Sequence, residues 1–360
     1  MKQRMVFGLA AAWLLIAGLA QAQAQTQTQV EAPAAPPAPD PAYLPYAKPG
    51  ILAEVAPGRK IDLICMGQGS PTVILTAGLG NWAETWRKVQ PAVARKTRVC
   101  GWDRPGYGFS SPSPDPQDVA HTTADLEAAL KVAGVRGPYI LVGHSLGGYE
   151  SLLFADRHPH EVVGLVLVDP SVPDQHRIMV DISPEAAKFE DSYLAFGVNG
   201  FRACGAALQS GKAKVGDASI AQCIDDRPTY PPELKASLAR VVAEPARYET
   251  EASLAEHFAD DAVIVIKPTR NYGDMPLIVL TAGQVQTLPP EVHATPATQA
   301  ALNEFLGKAW PRAHDAIAAL STHGRNVMVP DSSHYIQEIK PQLTIDSIDE
   351  VIDAARKSGR

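Results

Sequence analysis

Gly143-His144-Ser145-Leu146-Gly147-Gly148 decides the fold, because this stretch stands between an apolar run and an amphipathic one. The run Tyr139–Val142 before it predicts a buried strand, and LGGYESLLFADRH predicts a helix that begins inside it. Glycines at positions 143 and 147 permit a tight strand-to-helix turn that holds the serine exposed and strained. The start of the helix favours developing negative charge. The pattern therefore predicts that Ser145 is a nucleophile; the alternative is a glycine-rich turn that only packs the helix on the sheet.

Outward from this turn, short apolar runs alternate with helical stretches. The runs are KIDLICMG, PTVILTAG, TRVCGWD, YILVGHS, VGLVLVD, PLIVLTAG and RNVMVP, and helices are predicted over about 82–96, 118–133, 146–157, 296–321 and 341–357. Near-continuous apolar strands separated by amphipathic helices are typical of an α/β fold, a mostly parallel central sheet with helices on both faces. Ligand chemistry in such folds is found at the carboxyl ends of the strands.

A serine nucleophile needs a base, and the sequence offers ten histidines. His334 follows the apolar run Asn326–Val329 in the short stretch VPDSSHYIQEIKP, at the predicted carboxyl end of a strand, and is the predicted base. His144 adjoins the nucleophile and is expected to pack within the turn. Histidines on or beside the predicted helices are expected to be solvated: His121, His158, His160, His314 and His323.

Acyl transfer also needs two backbone N–H groups aimed at the developing oxyanion. One donor is expected from Leu146, directly after the nucleophile. The other is expected from the loop that follows PTVILTAG, in which Leu79 between two glycines is the candidate. The alternative for this loop is a glycine-rich turn without a catalytic role.

These segments together resemble the α/β-hydrolase superfamily, in its serine-hydrolase and esterase branch. The matching landmarks run in the family's order across about 60–340: Gly78-Leu79-Gly80, WDRPGYG at 102–108 with Ser110, GHSLGG, LVLVDP and SSHYIQ. The resemblance implies an α/β-hydrolase fold. It also implies structural roles for Asp103 and Arg104, and the serine at position 145 disfavours branches with an aspartate nucleophile.

The resemblance further implies a helical cap inserted after the sixth strand, at about residues 171–274. Stretches such as SPEAAKFEDSYLAFGV and ELKASLARVV are predicted to be its helices. Five aromatic residues are candidates to roof a substrate pocket, and the alternative is that they pack the cap onto itself: Phe189, Tyr193, Phe196, Phe201 and Phe258.

The acid of the expected Ser-His-acid triad is where the sequence departs from the family's pattern. Most relatives carry an aspartate soon after the strand that corresponds to PLIVLTAG, but here the first carboxylate after this strand is Glu291. Some relatives place the acid at the end of the preceding strand, where this chain has Asp169 in LVLVDPS. Both loops border the expected position of the base, so Asp169 is the preferred acid and Glu291 the alternative.

The first 49 residues are predicted to lie outside the catalytic domain. Residues 1–24 combine an early basic segment, a continuous apolar run and small-x-small cleavage sites, as a signal peptide does; the alternative is an uncleaved anchor. Residues 25–49 hold seven prolines and predict an extended linker, in which Tyr43 and Tyr46 are candidates for docking on the domain. The α/β-hydrolase domain is expected over 50–360, exported to the periplasm or medium, with no membrane span in the mature chain.

Four cysteines are too few for a disulfide scaffold, and no CxxC pair indicates a zinc site. In an oxidising compartment they are expected to pair. Cys204 and Cys223 both lie in the cap. The resemblance implies that the strands of Cys65 and Cys100 are neighbours, which allows a cross-strand bridge; free buried thiols are the alternative.

The 360 residues include 32 Lys and Arg against 39 Asp and Glu, unlike the basic surface of a nucleic-acid binder. We expect an exported serine hydrolase that cleaves a carboxylic ester of a small-molecule acyl substrate through an acyl-enzyme, without cofactor or metal. One alternative is an aminopeptidase- or amidase-like hydrolase, for which Asp225-Asp226 or Asp260-Asp261 could bind a substrate amine. Another is a degenerate hydrolase fold used for binding. The oligomeric state stays open.

Overall fold

The computed structural model describes residues 37–224, 227–284 and 295–359. The predicted signal peptide, the first part of the linker, Glu291 and the Asp225-Asp226 pair therefore lie outside the described residues. Eight strands form one sheet: β1 (Ile51–Ala56), β2 (Arg59–Met66), β3 (Thr72–Thr76), β4 (Val99–Trp102), β5 (Tyr139–His144), β6 (Val162–Val168), β7 (Leu277–Ala282) and β8 (Gly324–Val329).

The strand order across the sheet is β1-β2-β4-β3-β5-β6-β7-β8. The β1–β2 and β2–β4 pairs are antiparallel, and all other neighbours are parallel. This arrangement confirms the predicted mostly parallel α/β sheet. The strands β3, β5 and β6 are buried along their whole length, since helices cover both of their faces.

Twelve helices accompany the sheet in the described part of the chain. They are α1 (Gln90–Val93), α2 (Val119–Val132), α3 (Leu146–Arg157), α4 (Gln175–Ile182), α5 (Pro184–Gln209), α6 (Pro232–Val241), α7 (Pro245–Glu256), α8 (Phe258–Ile264), α9 (Pro296–Glu304), α10 (Trp310–Ala318), α11 (Ile336–Ile339) and α12 (Pro341–Lys357). Three predicted helices, at 118–133, 146–157 and 341–357, correspond to α2, α3 and α12 within one residue at each end. None of the helices in the described ranges is long and apolar enough to cross a bilayer.

The predicted helix over 82–96 is wrong in its extent. The segment forms a short 3-10 helix at Ala83–Trp86, followed by the single turn α1. Pro91 lies at the start of α1. Because proline has no N–H to give to a preceding turn, it can begin this helix but cannot continue one from residue 82.

The last part of the predicted linker is folded and docked rather than extended. Pro41–Tyr46 form a 3-10 helix in which Tyr43 and Tyr46 are buried. The Tyr46 hydroxyl donates to Gln90 Oε1 at 2.7 Å, and the Arg87 guanidinium lies 4.1 Å from the Tyr43 ring centre. The two tyrosines supply larger buried side chains than the surrounding prolines and alanines can.

Helices α4 to α8 fill the interval between β6 and β7, where the cap was expected. The long helix α5 packs along α7. Helix α7 is also bonded to a loop of the body, because the backbone N–H of Ser113 donates to Thr250 Oγ1 at 3.1 Å. The backbone N–H of Gln117 donates to Ser253 Oγ, also on α7, at 2.9 Å.

Both cysteine pairs considered from the sequence are disulfide-bonded. Cys65 on β2 lies directly opposite Cys100 on β4 and is bonded to it. Cys204 on α5 is bonded to Cys223 in a short 3-10 helix, across a sequence separation of 19 residues. No free cysteine is found in the described residues.

Candidate active site

Ser145 lies between β5 and α3, in the tight turn of residues 143–147, which we call the serine turn. Its φ of 53° and ψ of −122° are unusual for a residue with a side chain. A Cβ atom on Gly143 would come within 2.2 Å of the Gly147 carbonyl oxygen, and one on Gly147 within 2.5 Å of the Thr76 carbonyl oxygen. Only glycine fits at these two positions, which explains how the sequence presents Ser145 at the carboxyl edge of the sheet.

Asp169 directly follows β6 and lies beside Ser145. In the parallel β5–β6 pair His144 is opposite Val168, so the two residues that come next are neighbours. Asp169 also has a positive φ, 43°. Its side chain is buried, and its backbone N–H donates to the Leu280 carbonyl at 2.7 Å, which fixes the residue against β7.

His334 lies in the loop after β8, and its Nδ1 is 2.6 Å from Asp169 Oδ2. Burial raises the pKa of Asp169, but the hydrogen bond from His334 and the charge its ring can carry outweigh burial and bring the pKa to about 2. Asp169 is therefore ionised at neutral pH and accepts from His334 Nδ1–H. This leaves His334 Nε2 as the nitrogen able to exchange a proton.

Of the two candidate acids, Asp169 contacts His334, and Glu291 lies outside the described residues. Within the described part of the chain Ser145 Oγ makes no hydrogen bond. The pairing of His334 with Ser145 is therefore inferred from their positions at the same edge of the sheet.

His144 has a larger part in the site than packing alone. Its Nε2 is 3.0 Å from the His334 backbone carbonyl, and the two imidazole rings are 4.6 Å apart. Burial, followed by the charge of His334, lowers the pKa of His144 to about 3. Because a carbonyl oxygen only accepts, the neutral ring carries its proton on Nε2. His144 thus ties the serine turn to the loop that holds His334.

Of the two expected oxyanion donors, Leu146 lies within the serine turn and Leu79 lies in a loop beside it. Leu146 is the first residue of α3, where backbone N–H groups have no partner within the helix. Leu79 belongs to the loop after β3. A Cβ atom on the preceding Gly78 would lie 3.1 Å from Ser145 Cβ, so this loop passes directly beside Ser145.

Arg104 holds the loop that contains Leu79 in place. This fully buried guanidinium donates to the Gly78 carbonyl at 3.0 Å and pairs with the buried Glu150 carboxylate at 2.5 Å. The Gly78 carbonyl and the Leu79 N–H belong to one peptide plane and point in opposite directions. Arg104 therefore determines where the Leu79 N–H points. Its neighbour Asp103 accepts two backbone N–H groups and braces the same loop region.

Two residues of α10 to which the sequence analysis gave no role in the site contact Asp169 and the residue after it. Trp310 Nε1 donates to Asp169 Oδ1 at 2.9 Å, and His314 Nε2 lies 2.9 Å from the Pro170 carbonyl. The expectation that His314 is solvated is wrong, because its side chain is completely buried. The signal that could have found them is their i, i+4 spacing, which places both side chains on one helix face. The other four histidines are exposed or half-buried: His121, His158, His160 and His323.

The cap aromatics divide into two groups. Phe258 lines a narrow cleft between α3, α5 and α8, with its ring 6.2 Å from that of Tyr149, and Phe201 packs in the same apolar cluster as Leu79. The expectation that Tyr193 and Phe196 roof the site is wrong, since 41% and 54% of these residues are exposed. Phe189, on the same helix, is half-buried.

The two acids of the Asp260-Asp261 pair have different surroundings. Asp260 is exposed, whereas Asp261 is buried and accepts the backbone N–H of Val119 at 2.9 Å. Within the described ranges no group of three or more His, Cys, Asp or Glu side chains is arranged to hold a metal ion.

Comparison with known proteins agrees with this architecture. Residues 71–196 match the family model for the alpha/beta hydrolase fold. A thermophilic esterase from Thermogutta terrifontis superposes with a TM-score of 0.54 at 20% identity, over 86% of this chain and 99% of that one. The strand order, the serine turn and the family model together show that this chain has the alpha/beta hydrolase fold.

Curated relatives match over shorter stretches. An uncharacterized protein of Schizosaccharomyces pombe is 48% identical over 22% of this chain and 15% of its own length. The 2-hydroxy-6-oxo-2,4-heptadienoate hydrolase of Pseudomonas putida is 33% identical over 35% of this chain and 53% of its own length. The chain thus spans about half or less of these relatives.

Proposed function

We propose that this protein is an exported serine hydrolase that cleaves a carboxylic ester through an acyl-enzyme. Ser145 is the nucleophile, His334 the base and Asp169 the acid. The backbone N–H groups of Leu79 and Leu146 form the oxyanion hole. The observation that carries the proposal is the 2.6 Å contact between His334 Nδ1 and the ionised, buried Asp169 beside the serine turn.

The geometry supports a sequence of proton transfers. His334 Nε2 takes the proton of Ser145 as Oγ attacks the acyl carbon, and Asp169 stabilises the imidazolium that results. The oxyanion accepts the two N–H groups of the hole. His334 then gives its proton to the leaving alkoxide as the acyl-enzyme forms. A water activated by the same imidazole attacks the acyl-enzyme and releases the carboxylic acid product and the free Ser145 hydroxyl.

Esters are preferred over amides because an alkoxide is a better leaving group than an amide nitrogen. The position of Asp261 also supports an esterase. An aminopeptidase would need an acidic group to bind the substrate amine, but the carboxylate of Asp261 is bonded to the backbone N–H of Val119 at the start of α2. A non-enzymatic binding role would not need the contact between His334 and Asp169. The curated relative from Pseudomonas putida is named a hydrolase, in agreement with the general reaction class.

Ester turnover tests the proposal directly. We expect the mature protein to hydrolyse p-nitrophenyl esters, with a chain-length preference, and Ser145→Ala to lower kcat by about four orders of magnitude or more. A fluorescent phosphonate should label the wild type at Ser145 and leave the alanine variant unlabelled. Aminoacyl anilides in the same screen separate an amidase from an esterase.

The matched control is Ser347→Ala, which removes a helical hydroxyl bonded to the Leu343 carbonyl on α12. It should retain turnover and labelling. Folded wild-type protein that neither reacts with the phosphonate nor turns over an ester or an anilide would favour the binding protein.

Export is part of the same proposal. Two disulfides among the described residues are compatible with an oxidising compartment. Mass spectrometry of the protein from a periplasmic or medium fraction should find a mature chain that begins near residue 25. A full-length chain in the membrane fraction would contradict cleavage.

A further inference from the structure

The carboxylate of Asp169 has two oxygens, and each has its own set of partners. Oδ2 is bonded to His334, at 2.6 Å. Oδ1 accepts the Trp310 indole N–H at 2.9 Å and the backbone N–H of Ala282 at 3.0 Å. With Oδ1 held by two donors, the plane of the carboxylate is fixed and Oδ2 alone faces the imidazole.

Trp310 is itself held in one position. Its side chain is buried, and its ring is packed 5.3 Å from that of Phe305 and 4.7 Å from that of His314. A buried indole N–H normally needs an acceptor, and here the acceptor is the ionised Asp169. A hydrogen bond to a charged acceptor is stronger than one between neutral groups.

The helix geometry explains how Trp310 reaches the acid. Phe305–Ala309 form a π-helical turn between α9 and α10, so the predicted single helix over 296–321 is interrupted. Pro311 follows Trp310 and cannot donate to the preceding turn, which accounts for the widened turn. Such turns change which side chains face the core, and this one directs Trp310 towards the end of β6.

His314 supports the same segment from one turn further along α10. Its Nε2–H donates to the Pro170 carbonyl at 2.9 Å, since that oxygen can only accept. Its Nδ1 lies 2.7 Å from Thr281 Oγ1 on β7. Helix α10 therefore holds both the side chain of Asp169 and the Pro170 carbonyl after it. The backbone of Asp169 is strained, with a φ of 43°.

We infer that Trp310 is a positioning residue that holds the acid of the triad, by binding Asp169 Oδ1 so that Oδ2 is presented to His334. The catalytic consequence rests on the proposed function. Without the indole N–H the carboxylate can rotate, and one of the donors that stabilise its charged form is lost. The pKa of Asp169 should then rise and His334 should be oriented less well.

The test replaces Trp310 by phenylalanine, which keeps an aromatic ring and removes the N–H. We expect kcat for a p-nitrophenyl ester to fall about ten- to a hundredfold with KM changed less than about twofold. The pKa of Asp169, followed by carboxyl ¹³C NMR, should rise from about 2 to about 3. A role limited to packing would move neither kcat at constant KM nor the Asp169 titration.

Trp86→Phe is the matched control. Trp86 is equally buried, and its indole N–H has no hydrogen-bond partner in the described part of the chain. The same substitution there should leave the Asp169 titration and KM unchanged and kcat within about twofold. A Trp310→Phe variant that folds as well as this control and keeps wild-type kcat and Asp169 pKa would overturn the inference.

A second measurement needs no change at Trp310 and no substrate. In ¹⁵N–¹H spectra the Trp310 indole resonance of the wild type should lie downfield and move upfield in Asp169→Asn, because its acceptor loses its charge. An unmoved resonance would overturn the inference even if Trp310→Phe failed to fold. If the wild type hydrolyses no ester, the proposed function fails, while this spectrum still decides whether Trp310 holds Asp169.

Discussion

At the scale of single residues, the strained backbone positions include two of the residues proposed to act in catalysis. Three residues other than glycine have a positive φ in the described part of the chain: Ser145, Asp169 and Asp174. The first two are the proposed nucleophile and acid, each directly after a parallel strand. Such conformations cost about 1–3 kcal/mol each and persist only where neighbouring contacts fix them. Here the serine turn, the bond to β7 and Trp310 provide those contacts.

The acid can be identified by comparing two substitutions. Asp169→Asn should lower kcat by roughly three to four orders of magnitude, because the amide no longer stabilises the imidazolium and can hold the wrong tautomer of His334. Glu291→Gln should keep turnover within about twofold. Steady-state kinetics with one ester, together with circular dichroism to establish folding, measure both. Near-normal kcat in folded Asp169→Asn, or a large loss in Glu291→Gln, would reverse the assignment.

The sequence predicts some of these residues better than others. Ser145 and His334 can be found because each follows an apolar run in a short, distinctive segment. The sequence prefers Asp169 as the acid but leaves Glu291 as an alternative, since carboxylates stand on both candidate loops, and the contact of Asp169 with the imidazole of His334 is visible only in the fold. Trp310 and His314 escape sequence reasoning because a tryptophan and a histidine on a helix usually serve the core or the surface.

At the scale of the elements, a buried acid joins α8 to the start of α2. Asp261 accepts the Val119 N–H, while its other oxygen has no partner among the described residues. Burial raises the pKa of Asp261 to about 8, and the nearby charges of Asp118 and Glu150 act in the same direction. At neutral pH the folded protein therefore keeps a proton here that the unfolded chain, with an aspartate pKa near 3.9, has released.

This difference gives stability a defined dependence on pH. Between about pH 4 and pH 8 the folded state binds the extra proton, so the free energy of unfolding falls as the pH rises. Asp261→Asn imitates the protonated acid and removes this contribution. We expect the variant to melt a few degrees above the wild type at pH 8–9 and close to it at pH 4.

Calorimetric melting curves from pH 4 to pH 9 measure the effect, with Asp260→Asn as the control on the same helix. Asp260 is exposed, so its variant should follow the wild type at every pH. If the Asp261→Asn and wild-type melting temperatures stay parallel over this range, the carboxyl group is not protonated in the folded state.

The elements show where pattern reasoning succeeds and where it fails. Seven of the eight strands are apolar runs and are predicted, whereas β1, a largely exposed edge strand, is missed although five of its six residues are apolar. Helices α3 and α12 are predicted closely, since α3 begins at the glycine-rich serine turn and α12 begins at a proline and carries a clear apolar face. The π-turn before Trp310 depends on how a proline is accommodated in a packed helix, which hydrophobic periodicity does not encode.

At the scale of the whole molecule, two disulfides stabilise different layers. Cys65–Cys100 joins two antiparallel strands at one side of the sheet, and Cys204–Cys223 lies within the inserted helices. A cross-link that closes a loop of 19 residues stabilises a fold by about 3 kcal/mol, mainly by restricting the unfolded chain. Replacing Cys204 and Cys223 together by alanine should therefore lower Tm by roughly 5–10 °C.

Calorimetry of the double variant, beside the wild type with and without reductant, measures this contribution. Reduced wild type should melt below the double variant, since it loses both bridges. Equal melting temperatures for the oxidised wild type and the double variant would mean that the inserted helices do not depend on their cross-link.

The position of Asp169 also bears on the order in which the site can assemble. The proposed nucleophile follows the first strand of one β5–α3–β6 unit and the proposed acid follows the second, so their meeting requires only a local right-handed crossover. His334 arrives from the far end of the chain, after the inserted helices and β7 are in place. The contact between His334 and Asp169 spans 165 residues and carries most of the loop-closure entropy of the site. If Ser145 and His334 act as proposed, activity depends on the most distant closure of the chain, and a partly folded molecule that already presents Ser145 still lacks its base.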